Sequence, residues 1–331
     1  MTPAISLVCT VRDEADNIAA LLESMLAQTR PPDEIVVNDC MSRDATPAIV
    51  GAYAARDPRI RLVAGGQNIS SGRNNAVRAA RGQIIACTDA GLTLEPGWLA
   101  AIVAPIEAGN ADLVGGFFTP APQSLFELTL GAVNYPEARD VDPARFLPFG
   151  KSMAFRRELW ERVGGFPEWL SHCEDLVFDL AAERLGYRRA FAPGAVVRFR
   201  PRSSLRAFAR QYYLYARGDG LAGLWPRRHA ARYAAYAALL GLLAGAARWP
   251  WARLPASALI GLGAAAYTRA PYRRLWPRLR GRPAAERLAA LGLVPLIRLV
   301  GDVAKMIGYP VGVARRARMR GRSVHPGGSP R

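Results

Sequence analysis

The first 200 residues alternate short apolar segments with helical patterns, and this alternation limits the fold more than any other feature of the sequence. Predicted strands span residues 5–11, 33–38, 59–64 and 83–88. Predicted helices begin near Asp16 or Asn17, span residues 42–55, and run from Ser70 or Ser71 to Ala80. Strands and helices that alternate with short connections favour an α/β fold, with a mostly parallel sheet covered by helices on both faces.

Polar side chains collect where three of these strands end. They are Arg12-Asp13-Glu14, Asn38-Asp39 and Thr88-Asp89. Parallel strands end at a common edge of a sheet, and ligands bind outside their carboxyl ends. Short polar residues also begin ordinary loops, but three acidic clusters at one edge are better explained by a ligand site.

The pattern is less regular between residues 116 and 199. Residues 120–150 contain five prolines and no clear period, which indicates either a loop over a site or an insertion. A strand is predicted over 151–156, an amphipathic helix over 174–185 that Gly186 ends, and a last strand over 189–199.

Charge is distributed unevenly along the chain. Residues 200–331 hold 25 basic and three acidic side chains, whereas residues 1–199 hold 19 basic and 24 acidic ones. The basic part carries no nucleic-acid-binding motif, and its charges flank apolar segments. We therefore expect a membrane surface, and no nucleic acid, as its partner.

Two apolar segments of 15 residues each, 233–247 and 254–268, interrupt the basic part. As helices they would cover about 22 Å of a hydrocarbon core of roughly 30 Å. Trp249, Trp251 and neighbouring arginines are typical interfacial anchors that nearly close this gap. Because both outer flanks are basic, we expect a hairpin whose two ends remain in the cytoplasm; the alternative is a soluble, alanine-rich helical bundle.

A third apolar stretch, residues 288–313, is interrupted by Arg298, Asp302 and Lys305, which favours a helix lying in the membrane interface. Residues 315–322 are basic and predicted to be unfolded. The sequence thus predicts three parts: an α/β domain over 1–222, an apolar helical membrane-associated region over 223–314, and a basic disordered tail over 315–331.

The four cysteines, Cys9, Cys40, Cys87 and Cys173, form no C-x-x-C pair and fit no zinc module. A chain of this length needs no disulfides, so a reducing compartment is expected. The apolar run at residues 5–11 is short and lacks a preceding basic segment, which is typical of a strand rather than a signal peptide. We expect the protein at the cytoplasmic face of the cell membrane.

Several segments resemble family 2 glycosyltransferases, which have the GT-A fold. The opening residues 5–18 with 33–39 resemble the start of that family, and S-G-R-N-N at 71–75 resembles its G-x-R-N segment. T-D-A-G at 88–91 stands where the family's D-x-D motif is expected. G-G-F-P-E at 164–168, followed by Glu174-Asp175, resembles its acceptor region. The resemblance covers about residues 4–215.

The resemblance implies a nucleotide-sugar donor and a divalent cation. Breaking the sugar–phosphate bond leaves negative charge on the diphosphate, which a cation held by a carboxylate stabilises. The resemblance assigns this role to Asp89, with Mg²⁺ or Mn²⁺ as the ion. Gly91 stands where the second aspartate of the motif is usual, so Asp89 is the single metal ligand predicted.

The resemblance also implies residues for the nucleotide. Asp39 would accept a hydrogen bond from the base or ribose of a UDP- or GDP-sugar. Gly72 would permit close approach of the backbone, and Arg73 has a charge that suits the diphosphate; a solvated helix face is the alternative for Arg73. The other residues placed near the nucleoside are Thr10, Arg12 and Glu14.

Asp175 is the candidate general base, with Glu174 as the adjacent alternative. Direct displacement at the anomeric carbon inverts configuration and requires a carboxylate within hydrogen-bond reach of the acceptor hydroxyl. Acidic residues at this position also stabilise a helix N-terminus. Gln211 matches the Q-x-x-R-W motif of processive family members, but Leu214-Tyr215 replaces Arg-Trp, which favours a non-processive enzyme.

The sequence therefore predicts an inverting, non-processive glycosyltransferase acting on a lipid-linked or cell-envelope glycan. One alternative is a polyprenyl-phosphate sugar transferase, for which arginines within 200–232 could bind the lipid phosphate. A second alternative is an inactive nucleotide-sugar-binding scaffold, which the replacement of aspartate by Gly91 would favour.

Overall fold

The computed structural model describes residues 3–322, with side chains up to residue 319, and it divides into two compact units. Among the described residues, the first unit comprises 3–121 and 136–200, and the second comprises 122–135 and 201–322. The sequence placed the boundary at residue 222. Residues 201–222 instead belong to the second unit, because the helix that they form buries Phe208 in that unit's apolar core.

An eight-stranded sheet forms the first unit, in the order β3-β2-β1-β4-β7-β6-β8-β5. The strands are β1 Ile5–Val11, β2 Glu34–Asp39, β3 Ile60–Ala64, β4 Ile84–Asp89, β5 Leu92–Leu94, β6 Leu113–Pro120, β7 Ser152–Arg156 and β8 Arg189–Phe199. Six of them match the predicted strands to within one residue at each end. The sequence did not predict β5, which is short, or β6, which contains Gly115-Gly116 and ends in proline.

Pairing in the sheet is mixed rather than uniformly parallel. The pairs β1–β2, β1–β4, β2–β3 and β6–β8 are parallel, whereas β4–β7, β6–β7 and β5–β8 are antiparallel. Because β7 runs against both of its neighbours, the carboxyl ends of β1, β2, β4, β6 and β8 lie at one edge of the sheet. That edge also receives the start of β7.

The helices in chain order are α1 Ile18–Leu26, α2 Thr46–Ala54, α3 Ile69–Ala79, α4 Trp98–Glu107, α5 Leu125–Asn134, α6 Arg157–Val163, α7 Glu174–Arg184, α8 Leu205–Ala222, α9 Pro226–Arg248, α10 Arg253–Leu275 and α11 Ala284–Arg322. In the first unit, Val8 and Val36 of the sheet pack with Val77 of α3 and Phe178 of α7. Strands β1 and β2 are buried along their whole length, which explains why their sequences are apolar up to the polar end.

The second unit is helical and consists of α5 and α8 to α11. Its core includes Phe208 of α8, Leu275 of α10 and Ile297 of α11, together with Leu130 of α5. Residues 120–150, for which the sequence showed no period, thus contain a helix that contributes to this core. The chain leaves the sheet unit after Ala121 and returns to it at Pro136.

Helices α9 and α10 have 23 residues each and extend well beyond the two 15-residue apolar segments. Within the described part of the chain, α9 alone combines the length and the mean hydropathy of a membrane-spanning helix. Helix α11 runs for 39 residues, so residues 315–322 are helical where an unfolded tail was predicted. These residues continue α11 directly from its preceding apolar turns. Residues 323–331 of that tail lie outside the described residues.

Candidate active site

A buried arginine joins two of the predicted site carboxylates. The Nη2 atom of Arg73 donates to Oδ1 of Asp89 at 2.8 Å, and its Nη1 atom donates to Oε1 of Glu174 at 3.0 Å. The guanidinium also lies over the ring of Phe166, 4.9 Å from its centroid, and only 2% of the side chain is exposed. Burial by itself lowers the pKa of Arg73, but the carboxylates of Asp89 and Glu174 raise it above its ordinary value, so Arg73 remains a cation in this buried position.

This arrangement differs from the role expected for Arg73. The sequence suggested that its charge would face a diphosphate, with a solvated helix face as the alternative. Instead, α3 directs the side chain inward, where two carboxylates occupy its terminal nitrogens. We therefore assign Arg73 to positioning Asp89 at the end of β4 and Glu174 at the start of α7.

The two adjacent acids at the start of α7 lie in different environments. Glu174 is buried, and desolvation together with the neighbouring Asp175 raises the pKa of its carboxyl to about 7, against the opposing effect of Arg73. Asp175 is half-buried; its Oδ2 atom accepts from the backbone N–H of Gly150 at 3.1 Å, and its Oδ1 atom accepts from the N–H of Leu176. Asp175 is thus the more accessible carboxylate of the pair.

Gly150 is a site residue that the sequence did not single out. A Cβ atom there would lie 2.4 Å from Nη2 of Arg73, so any side chain would collide with the guanidinium. Its N–H group donates to Asp175, so Gly150 lies between Arg73 and the candidate general base and is close to both. The residue lies at the end of the proline-rich stretch, where no local pattern marks it.

Asn74 connects two of the motifs that carried the family resemblance. Its Oδ1 atom accepts from the N–H of Phe166 at 2.8 Å, and its Nδ2 atom donates to the carbonyl of the same residue at 2.8 Å. A Cβ atom on Gly165, which has φ +81°, would lie 2.9 Å from Asn74 Oδ1. The G-x-R-N and G-G-F segments therefore contact each other through the side chain of Asn74 and the backbone of Phe166.

Asp39 provides an unsatisfied acceptor at the end of β2. The residue is 5% exposed; its Oδ2 atom accepts from the N–H of Ser42 at 3.0 Å, whereas its Oδ1 atom is buried with no hydrogen-bond partner among the described residues. A buried acceptor without a partner is costly, and a ligand N–H or O–H group would remove that cost. This geometry suits the predicted contact with a base or ribose.

Gly72 is required by packing between α3 and the sheet. A Cβ atom there would lie 2.2 Å from Oγ1 of Thr10 and 2.4 Å from Sγ of Cys40. Thr10 is itself buried, and its hydroxyl lies 3.2 Å from the same sulfur. Because Gly72 has no side chain, α3 can pack against β1 and β2. The sequence had instead suggested that Gly72 allows the backbone to approach a phosphate.

Arg12 and Glu14 lie in the loop that follows β1. Arg12 is exposed, with its Nε atom 3.9 Å from Asp13. The carboxylate of Glu14 accepts from Asn17 at 2.9 Å and faces the position that a Cβ of Gly91 would occupy, at 3.8 Å. The loops after β1 and β4 are therefore neighbours at this edge.

Asp89 is suited to share a cation with a phosphate ligand rather than to hold one alone. The described residues contain no group of three or more His, Cys, Asp or Glu side chains that could hold a metal ion. Arg73 occupies one oxygen of Asp89, and the side chain is 29% exposed. A hard divalent cation accepts one carboxylate oxygen when phosphate oxygens and water complete its shell. The residues present fit a metal bound together with a diphosphate.

Comparison with known proteins identifies the family of this site. Residues 6–164 match the model "Glycosyl transferase family 2", and residues 140–268 match "Glycosyl transferase family group 2". The succinoglycan biosynthesis protein ExoO of Rhizobium meliloti is 39% identical over 34% of this chain and 32% of its own. The uncharacterised glycosyltransferase EpsJ of Bacillus subtilis is 29% identical over 56% of this chain and 57% of its own. The matches thus span between a third and somewhat over half of these relatives.

A solved structure shows the same fold over most of the chain. The mannosyltransferase PcManGT from Pyrobaculum calidifontis, in complex with GDP-Man and Mn²⁺, superimposes with a TM-score of 0.64 at 23% identity, covering 92% of this chain and 88% of its own. This similarity agrees with the GT-A type of fold that the sequence motifs suggested. The two family models, which together match residues 6–268, show that the chain belongs to the family 2 glycosyltransferases.

Proposed function

We propose that the protein is an inverting, non-processive glycosyltransferase that moves a sugar from a UDP- or GDP-sugar to a lipid-linked or cell-envelope glycan. The observation that carries this proposal is the placement of three acids along the carboxyl edge of one sheet. Asp39 ends β2 with a buried free oxygen, Asp89 ends β4, and Asp175 begins α7 beside Gly150.

Each acid has a distinct chemical task in this proposal. The Oδ1 atom of Asp39 accepts a hydrogen bond from the nucleoside. Asp89, which Arg73 holds in place, offers its other oxygen to Mg²⁺ or Mn²⁺, and the cation when bound neutralises charge on the diphosphate leaving group. Asp175 accepts the proton of the acceptor hydroxyl as that oxygen attacks the anomeric carbon from the face opposite the leaving group.

The names of the relatives support the class of donor, cation and acceptor. The Pyrobaculum calidifontis enzyme was solved with GDP-Man and Mn²⁺. ExoO is named for the biosynthesis of succinoglycan, which is a polysaccharide. These names favour a nucleotide-sugar donor with a divalent cation, and a glycan as the acceptor.

We also propose that the helical unit associates with the cytoplasmic face of a membrane. Leu240 and Leu243 of α9 are 66% and 51% exposed, and Trp251 at the turn before α10 is 76% exposed. Exposed apolar side chains of this size on a long apolar helix are costly in water. Arginines at both ends of this hairpin would interact with anionic headgroups.

The decisive experiment measures the thermal stability of the full-length protein with UDP, GDP, CDP or dTDP, with and without Mn²⁺. A nucleotide at 100 times its dissociation constant stabilises the folded state by about 2.7 kcal/mol. We expect one nucleotide to stabilise the protein only with the metal, and Asp89→Ala to abolish this effect. If no nucleotide stabilises the folded protein, the proposed function is wrong.

Asp175→Asn separates the enzyme from an inactive binding scaffold. This variant should keep the stabilisation by nucleotide and lose sugar transfer by a factor of about 10² to 10⁴, which is the usual contribution of a general base. Transfer that is undiminished in Asp175→Asn would exclude this residue as the base. Measuring the anomeric configuration of the product by NMR would test inversion directly.

A further inference from the structure

Two lysines stand out in a chain whose other 42 basic residues are all arginine. Both place their ammonium group over aromatic rings. Lys151 lies over three phenylalanine rings, and Lys305 lies over the ring of Tyr212, with its Nζ atom 4.7 Å from the centroid. A lysine offers a compact charge with three N–H donors, whereas the flat guanidinium of arginine would spread over such rings.

Lys151 is held by a built aromatic surface. Its Nζ atom lies 4.7 Å from the ring centroid of Phe199, 5.2 Å from that of Phe118 and 5.9 Å from that of Phe149. Six of the eleven phenylalanines form one cluster of ring contacts here, namely Phe117, Phe118, Phe146, Phe149, Phe191 and Phe199. Rings on several sides restrict the ammonium to one position and reduce its contact with water.

The backbone at Lys151 is tied to both sides of the candidate active site. Its carbonyl accepts from Oγ1 of Thr88 at 3.0 Å, and Thr88 directly precedes Asp89. The preceding residue, Gly150, donates its N–H to Asp175. The residue therefore lies at the edge of the sheet where Asp39, Asp89 and Asp175 are found.

The rings place the ammonium on the β6–β8 side of Asp89, away from Asp39. Asp39 belongs to β2, and β2 is separated from β6 and β8 by β1, β4 and β7 in the sheet. Phe118 and Phe199 lie near the ends of β6 and β8. In the proposed function the nucleotide lies over β1, β2 and β4, so the region near β6 and β8 is left for the acceptor.

We propose that Lys151 binds an oxyanion of the acceptor, either a phosphate or a carboxylate group. This inference rests on the proposed function, since it uses that assignment to define the acceptor side. The Lys151 ammonium is half-buried against three phenylalanine rings, and a positive charge beside rings of low polarity attracts an anion more strongly than a fully solvated charge does. The enzyme then selects acidic glycans or phosphate-bearing acceptors over neutral ones.

The small number of lysines makes a direct test possible. Acetylation of amines by an N-hydroxysuccinimide ester, followed by mass spectrometry, reports on Lys151, Lys305 and the N-terminal amine. The full-length protein is labelled with Mn²⁺ and the nucleotide that stabilises it, and then with glucose 6-phosphate, glucuronate or glucose added. Lys305 serves as the internal reference for changes in reagent or fold.

We expect glucose 6-phosphate and glucuronate to slow the acetylation of Lys151 selectively, while glucose at the same concentration does not. Protection by glucose 6-phosphate alone would identify a phosphate as the preferred group, and protection by glucuronate alone would identify a carboxylate. Equal rates with anionic and neutral sugars would overturn the proposal. Full protection by the nucleotide alone would also overturn it, because the anion would then belong to the donor.

Variants distinguish binding from a purely structural role. Lys151→Met should weaken the binding of glucose 6-phosphate, followed by saturation-transfer NMR, about tenfold or more, because a charge-assisted hydrogen bond is lost. Phe199→Leu keeps the lysine and most of the apolar volume, so a several-fold weaker protection of Lys151 is expected. Unchanged binding in both variants would mean that Lys151 only packs against the rings. Stabilisation by nucleotide, measured in parallel, tests the proposed function separately.

Discussion

Arg73 donates a hydrogen bond from Nη2 to Oδ1 of Asp89 across 2.8 Å, which ties the middle of α3 to the carboxyl end of β4. Its other terminal nitrogen bonds Glu174 at 3.0 Å. Because Arg73 is buried, these contacts are shielded from water, and the position of Asp89 depends on them. The metal-binding carboxylate proposed here is therefore oriented by a residue that does not itself face the ligand.

Replacing Arg73 by methionine should destabilise the protein by about 3–5 kcal/mol, because a buried ion pair loses its cation. Arg78→Met is the matched control on the same helix, since its contact with Glu168 is half-exposed and is worth less than about 1 kcal/mol. Denaturant unfolding of both variants measures the difference. Similar losses for the two substitutions would contradict the assignment of Arg73.

The elevated pKa of Glu174 predicts a dependence of stability on pH. The folded state holds its proton up to about pH 7, whereas the ordinary value is 4.5, so the folded state binds more protons between these values. The protonated Glu174 carboxyl contributes its full stabilisation of the folded state below about pH 4.5, and this stabilisation is lost as the pH rises through 7. Glu174→Gln, which stays neutral, should therefore become progressively more stable relative to the wild type over this range.

The measurement for Glu174 is the free energy of unfolding of both proteins between pH 4.5 and 8. Glu158→Gln, which changes an exposed carboxylate on α6, is the control. A difference between Glu174→Gln and the wild type that does not change with pH would refute the prediction.

Replacing each of two helical glycines by alanine should change the stability of the protein in opposite directions. Gly72→Ala places a methyl group 2.2 Å from Thr10 Oγ1, and overpacking of this kind costs about 1–3 kcal/mol. Gly51→Ala in α2 meets no atom within 4 Å and should stabilise the protein by up to about 1 kcal/mol through helix propensity. Thermal unfolding of the two variants tests this; a stabilising Gly72→Ala would show that α3 can move away from β1.

Asp39→Asn should weaken binding of the nucleoside diphosphate by about tenfold or more. The amide keeps an oxygen for the N–H of Ser42 but replaces the free carboxylate oxygen by a donor, which removes a charge-assisted hydrogen bond. Isothermal titration calorimetry measures the effect, with Asp16→Asn, an exposed residue before α1, as the control. Equal affinities for all three proteins would show that Asp39 does not contact the nucleotide.

Charges on the exposed face of α9 should reduce membrane binding without unfolding the protein. Leu240→Asp and Leu243→Asp each add about 2.5–3.5 kcal/mol to the cost of insertion into a bilayer. Flotation with vesicles that contain anionic lipid measures the effect. Leu185→Asp is the control, because this leucine is 57% exposed in the sheet unit. Flotation that all three variants retain would contradict membrane association through α9.

Sequence predictions that depended on local patterns were accurate, whereas features that depend on contacts between distant segments were missed. Strands with a strong apolar run, such as β1 and β2, were predicted to within one residue, because burial on both faces leaves a continuous local signal. The antiparallel pairings of β7 could not be predicted, since short strands of similar composition pair in either direction. Helix α5 was missed because prolines on both sides hide its ten residues.

The candidate site also contains some residues that local patterns indicated and others that only tertiary contacts bring there. The order of polar clusters after β1, β2 and β4 predicted that Asp39 and Asp89 lie at one edge of the sheet, because parallel strands bring their ends together there. No local pattern indicated that Arg73 would turn inward, that Gly150 would contact it, or that Lys151 would lie among phenylalanines.

The sequence by itself determined where strands and helices alternate, which residues end the strands, how the charge divides along the chain, and the family to which its motifs belong. These properties depend on residues close together in the chain. The tertiary structure alone decided the pairing of Arg73 with Glu174, 101 residues away, and the separate environments of Glu174 and Asp175. Contacts between distant segments leave no periodic trace in the sequence, so desolvation and ion pairing at the site emerge only when the sheet and its helices are packed.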